Sequence, residues 1–308
     1  MTEKIKEKLV AIGIVTPSLI AVLIFVYGFI GKTVNLSFLD QNDFIRVMSG
    51  ESNFVGLKNY IQLFSNSRFH TNLWNTLYFT LFFILGCLIV GIFLSLILDE
   101  APRGGFIFQN IYLFPMAISF VVTGTVWRWI FSPGSLPNRA RGLNLLFEKI
   151  DLTSFQWEWF TSTSSFMKFN LALIPIIVAA VWQFSGYTMA MWLAGLRGID
   201  QQLIEAARID GASKWQVFTK ILFPIQKPIT LSAVIVLAHV SLKAFALIYS
   251  MTGSGPKNVT DIPAVYMYES TFKAHRYSYG ASIAIMLLLM VGVFIVPYLV
   301  NSFKKEGS

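Results

Sequence analysis

Six stretches of 22 to 28 residues carry no acidic side chain and a single basic one: residues 9–30, 73–98, 106–127, 169–196, 229–251 and 280–303. No other feature constrains the chain as strongly. A helix rises about 1.5 Å per residue, so about 20 apolar residues cross the ~30 Å hydrocarbon core of a bilayer. Backbone groups there find no water, and a helix satisfies them within the segment. The expected fold is all-α and integral to the membrane, with six transmembrane helices in one transmembrane domain spanning residues 1–308. At 55% hydrophobic and 13% charged residues, the chain has too little polar surface for a soluble globule. A soluble enzyme, a disulfide-stapled secreted module and a disordered chain are excluded.

The lone cysteine, Cys87, lies inside the second run, so neither an intrachain disulfide nor a thiolate metal cluster is available. The net charge of +8 is dispersed over the loops, which points to lipid head groups rather than to nucleic acid. Lys4, Lys6 and Lys8 precede an apolar run of 22 residues with no small-residue cleavage site after it. It reads as a retained first span.

With six spans both termini share one side. Placing them in the cytoplasm puts 11 Lys or Arg in 52 inside loop residues and 12 in 111 outside ones, so basic density is about twofold higher inside. Short basic segments beside spans set orientation, and here they are Lys4 to Lys8, Arg103, residues 197–228, and Lys304 with Lys305. Tyr27, Trp74, Tyr78, Trp127, Trp129, Trp192, Tyr249 and Tyr298 are expected at head-group level. Pro17, Pro115, Pro175 and Pro297 fall within runs and are expected to kink them.

Residues 197–228 form a 32-residue connection between the fourth and fifth runs, far longer than the usual link between bundled helices. Asp200 is placed to N-cap a helix through Glu205, Ala206 and Ala207 that stops at Gly211. Ser213 and Gln216 have capping-box spacing and open a second helix ending near Pro224 and Pro228. The expectation is a short helix, a sharp turn and another short helix on the cytoplasmic side. Such an amphipathic helix suits a groove on another protein.

The pattern Glu205-Ala206-Ala207, three residues, Gly211, nine residues, then Ile221-x-Phe223-Pro224 closely resembles the EAA signature of binding-protein-dependent ABC importer permeases. That signature ordinarily ends Ile-x-Leu-Pro, and Phe223 is a departure. Residues 54–60, Leu113-Phe114-Pro115, residues 193–196 and residues 251–256 are similar to the carbohydrate permeases, in particular to the class containing the larger maltose permease subunit and one glycerol-3-phosphate permease subunit. The resemblance implies a type I ABC importer permease fold and translocation of a mono- or oligosaccharide into the cytoplasm of a bacterium or archaeon. It implies four kinds of partner beside membrane lipid: a second homologous permease subunit, a dimer of ATP-binding subunits, an extracytoplasmic solute-binding protein and the sugar. It also assigns Glu205, Ala206, Ala207, Asp210, Gly211, Ile221 and Pro224 to the loop that couples to the ATPase.

No G-x-x-x-x-G-K-[ST] loop is present, so the chain lacks that backbone cradle for nucleotide phosphates. The three histidines, His70, His239 and His275, have no metal-ligand spacing, and no metal, cofactor or enzyme activity is expected. Polar groups inside spans are expensive in lipid and face the bundle interior. His239 and Lys243 lie four apart in the fifth run and are expected on one helical face. Lys243 reads either as a donor to a substrate hydroxyl or anionic group, or as a snorkelling or carboxylate-paired structural lysine. Trp182, Gln183 and Tyr187 combine ring faces with amide and phenolic groups, a sugar-pocket composition that helix packing also uses. Asn75 and Tyr249 are further substrate candidates nearer the outer surface. Other readings stay open at this point: the same machinery for a sugar phosphate or an amino acid, a stand-alone carrier or channel, and a membrane-embedded enzyme.

Overall fold

A computed structural model describes residues 3–50, 52–100, 104–135 and 139–306. Arg103 lies outside the described residues, as do the side chains of Lys4, Lys6, Lys8, Pro297, Tyr298, Lys304 and Lys305. The chain forms two compact units, Met1–Ser67 with Tyr266–Met290, and Arg68–Val265 with Val291–Ser308.

In the first unit the opening run is longer than its apolar core suggests. Helix Glu3–Val22 continues through a π-helical turn, Leu23–Gly28, into Phe29–Ser37. Its membrane-length part, Ile12–Ser37, buries none of its most apolar window. The segment after it is tied down by Asn59, which is 2% exposed. Its Nδ2 donates to the carbonyls of Ser37 at 2.8 Å and Leu39 at 2.9 Å, while its Oδ1 accepts from Asn42 at 2.9 Å. Asn42 in turn accepts from the backbone N–H of Tyr279 at 2.8 Å, in the first turn of helix Tyr277–Glu306. That N–H has no partner inside its own helix, and the asparagine supplies one.

The second unit is built around helix Ile174–Leu196, whose buried face includes Ile176, Met189, Trp192 and Leu193. Helix Ser67–Asp99 meets it where Gly91 leaves room for Thr188 and the backbone of Ser185 and Met189. Helix Gly105–Leu113 meets it at Gly186, against the carbonyl of Tyr112. Small residues at such crossings let backbones close up, which is how packing replaces the hydrophobic effect in lipid.

Two runs differ from the single continuous spans expected. The third breaks: Gly105–Ala117 and Phe120–Ile130 meet at a 98° bend. Pro115 starts a 3₁₀ turn, Phe114–Ala117, Ile118 is extended, and Ser119 caps the next helix by accepting from Val121. The freed carbonyl of Ile118 accepts from Gln183 Nε2 at 2.8 Å, so the break is satisfied by protein at membrane depth. The fifth run ends its main helix, Lys227–Leu242, at Lys243 and resumes as Phe245–Met251. Pro175 kinks nothing, because it occupies the first turn of its helix, where its missing N–H costs no bond. Trp192 is fully buried and is a packing residue, not a head-group ring as expected.

At the end remote from residues 197–228, Arg68 Nε donates to Asp261 Oδ2 at 2.6 Å, with Asp261 wholly enclosed. About two turns further along the same helix, Asn75 Nδ2 donates to the carbonyls of Val259 at 3.1 Å and Asp261 at 2.8 Å, and its Oδ1 accepts from Asn170 at 2.7 Å.

Candidate functional site

Residues 197–228 adopt the helix–turn–helix form expected of them. Helix Gln201–Ile209 is opened by Asp200, whose carboxylate accepts from the Gln202 N–H at 2.9 Å. Its end explains the spacing between Ala207 and Gly211. The N–H of Ala212 donates to the carbonyl of Ala207 at 2.9 Å and that of Gly211 to Arg208 at 3.1 Å. This is the paired bonding of a Schellman cap, with Gly211 in the left-handed position at φ +83°. Ser213 and Gln216 close a reciprocal capping box at 2.8 and 3.3 Å. The second helix starts at Lys214, so the chain reverses within a few residues.

Pro224 shapes the rest. A proline in a helix removes one N–H and crowds the carbonyl four residues earlier. The segment before it, Phe218–Leu222, is a π-helical turn containing Ile221, an irregularity that accommodates the ring. Gln226, 1% exposed, then donates to the carbonyl of Trp192 at 3.2 Å, pinning the following 68° bend to the end of the central helix.

The loop has an anchored side and an open side. Ile204 and Val217 are buried, whereas Glu205, Ala206 and Asp210 are exposed together with two large apolar side chains, Ile209 at 85% and Trp215 at 71%. Glu205 has no ion pair among the described residues. Lys214 meets Glu100 at 3.0 Å, an exposed pair worth little in itself, yet it places the loop beside the end of helix Ser67–Asp99. Trp215 packs at a tilt against Phe218 at 5.6 Å, and Phe218 and Phe223 each approach Trp192, at 6.4 and 6.0 Å. Phe223, the departure from the signature, thus fills the joint between loop and central helix. Trp215, Phe218 and Phe223 lie close together in the chain, but nothing local in the sequence marks Trp192 as the ring they pack against.

The substrate candidates do not converge on one cavity. Trp182 is 41% exposed and packs edge-on to Trp127 at 5.6 Å, beside an almost wholly apolar cleft of about 1260 Å³. Tyr187 is half-buried with no hydrogen bond to its hydroxyl among the described residues. Gln183 is buried and committed to Ile118 through Nε2. Asn75 is fully buried with both side-chain atoms bonded, so it is a structural tie. Tyr249 stacks on Phe245 at 5.2 Å. His239 is half-buried, and Lys243 is exposed in the break rather than stacked within a continuous helix. Lys243 has no carboxylate partner among the described residues.

The described residues form an α-helical membrane unit with a capped helical elbow on one side. The chain belongs to the family of inner membrane components of binding-protein-dependent transport systems, whose sequence profile matches residues 87–305. It is therefore a permease component and not an enzyme. It is 43% identical, over 94% of both chains, to a probable ABC transporter permease protein of Pyrococcus horikoshii. It is 37% identical to the xylose/arabinose import permease protein XacH of Haloferax volcanii, over 92% of this chain and 85% of that one. Against the trehalose/maltose transport system permease protein MalF of Thermococcus litoralis the identity is 29% over 99% of both chains. The fold matches a chain of a bacterial alginate ABC transporter with a TM-score of 0.75 at 21% identity, covering 96% of this chain and 94% of that one.

Proposed function

We propose that the chain is one permease subunit of an ATP-driven importer that moves a mono- or oligosaccharide through the cytoplasmic membrane of a bacterium or archaeon, with both termini and residues 197–228 in the cytoplasm. One observation carries the coupling role: the doubly capped helix Gln201–Ile209 and the short helix after it leave Ile209 85% and Trp215 71% exposed on the open side of the loop. Helix-in-groove binding to an ATP-binding subunit covers such a surface. Sugar import is supported by the named substrates of the Haloferax and Thermococcus relatives. A second homologous permease completes the pathway, and a solute-binding protein delivers the sugar on the outer side.

In this mechanism, closure of the ATPase pair on ATP displaces the loop helix as a rigid body. The aromatic joint Trp215–Phe218–Phe223–Trp192 passes that displacement to the central helix, and the helices rock between two packings. Glu205, Ala206, Ala207 and Asp210 meet the ATPase, while Gly211, Ile221 and Pro224 fix the elbow's shape. Trp182, Tyr187, His239 and Lys243 are the residues with side-chain surface left for a sugar.

The test is uptake by the assembled complex in proteoliposomes, with labelled xylose, arabinose, maltose, trehalose, a sugar phosphate and an amino acid. Uptake of at least one sugar is expected, dependent on both enclosed ATP and binding protein. Equal uptake without the ATP-binding subunits identifies a carrier or channel and contradicts the proposal, and transport of the amino acid alone contradicts the substrate class.

A further inference from the structure

A second site lies away from the loop and the substrate candidates, in the segment between the third and fourth runs. A cavity of about 400 Å³ is lined by Arg128, Arg141, Trp129, Phe160, Ser132 and Thr161. Its volume is that of a small-ligand pocket. Both arginines are exposed, and neither has an ion pair among the described residues. The sequence contains no Asp or Glu between Glu100 and Glu148, while it places Arg128, Arg139 and Arg141 there.

The walls are held firmly. Gly142, at φ +53°, lies so close to the carbonyls of Trp129 and Ile130 that a β-carbon has no room, and this sets Arg141 beside the end of the helix carrying Arg128. Asn144 is fully buried. Its Nδ2 donates to the Trp157 carbonyl at 2.8 Å, and its Oδ1 accepts from Trp159 Nε1 at 2.8 Å and the Trp157 N–H at 3.2 Å. Phe131 packs on Trp159 at 4.9 Å. Two arginines are thereby kept on the lining of one cavity. Planar, multi-donor guanidinium groups match the geometry of carboxylate and phosphate oxygens. Trp129, Phe160 and Ser132 complete a lining suited to a polar group of about monosaccharide size, while the Thr161 hydroxyl donates to the Glu158 carbonyl at 2.6 Å.

We propose that this cavity is a binding site for an oxyanion, a carboxylate or phosphate, carried either by a dissolved acidic sugar or by the head group of an anionic lipid. The inference stands on the cavity alone and does not depend on the coupling mechanism.

Calorimetric titration of the assembled transporter, in phosphatidylcholine nanodiscs at low ionic strength and without binding protein, tests it. Glucuronate and inorganic phosphate are expected to bind and neutral glucose is not, with affinity falling about tenfold in Arg128→Gln and in Arg141→Gln through loss of a charge-assisted bond. Adding phosphatidylglycerol distinguishes the sources: weaker apparent glucuronate binding in the wild type, but not in the double variant, assigns the pocket to lipid, and unchanged binding assigns it to dissolved anions. Anion binding that is absent, or indifferent to both substitutions, overturns the proposal. If the substitutions instead weaken only docking of the solute-binding protein, the cavity is a protein contact and the proposal is likewise overturned. Neither arginine belongs to the loop, so failure here leaves ATP-dependent uptake as a separate result.

Discussion

Replacing Gly186 by valine is expected to abolish accumulation of the folded subunit. A β-carbon at this position would collide with the carbonyl oxygen of Tyr112 and lie 2.6 Å from its carbon. The obstruction is backbone, so no side chain can swing away. Overpacking a tight core costs roughly 1 to 3 kcal/mol and sometimes more, and here both partners are helices meeting at the broken third run, whose Ile118 carbonyl depends on Gln183 one turn away. Loss of the crossing therefore also strands a polar group at membrane depth. Membrane-extracted protein and its thermal unfolding in detergent measure the effect. Gly292→Val, with open space around it, is the control and is expected to behave as wild type. A stable, abundant Gly186→Val protein would show that the crossing is looser than described.

The second large effect is functional rather than structural. Glu205→Ala and Ile209→Asp are each expected to lower ATP-dependent uptake at least tenfold while leaving subunit abundance unchanged. Both side chains are exposed, so neither substitution disturbs the anchoring of Ile204 and Val217 or the two caps. Hot-spot residues near the centre of a protein interface cost about 2 kcal/mol or more when removed, and a charge at Ile209 would be buried without a partner on docking. Uptake and stimulated ATPase activity in the same proteoliposomes separate uncoupling from misfolding. Wild-type uptake by both variants would remove this surface from the coupling pathway.

Parts of this architecture are legible residue by residue. Asp200, Gly211, Ser213 and Gln216 announce the elbow because caps are local: a side chain bonds a backbone group two or three residues away. The apolar runs are equally plain, since lipid imposes length and hydrophobicity on each segment separately. The failures share a different cause. The third run breaks at Ile118 rather than merely kinking at Pro115, because a distant Gln183 satisfies the opened backbone. Asn75, a candidate for substrate, is consumed by Val259, Asp261 and Asn170. Arg68 meets Asp261 across 193 positions, and Trp192 is enclosed by Phe218 and Phe223 from the elbow. Polar residues in a span announce that they must be paired, but not with what, and a single sequence leaves the partner undetermined until the helices are packed.

Cysteine labelling of the elbow tests the central claim most directly. Cys87, the one native cysteine, is buried and contributes little background, while Ile209 is 85% exposed. In cells carrying Ile209→Cys, a membrane-impermeant maleimide added outside is expected to leave the residue unmodified. In inverted vesicles the same reagent is expected to modify it rapidly when the ATP-binding subunits have been stripped away, and slowly when they are present. Rapid modification in intact cells, or labelling of inverted vesicles that is indifferent to the ATP-binding subunits, would contradict the account.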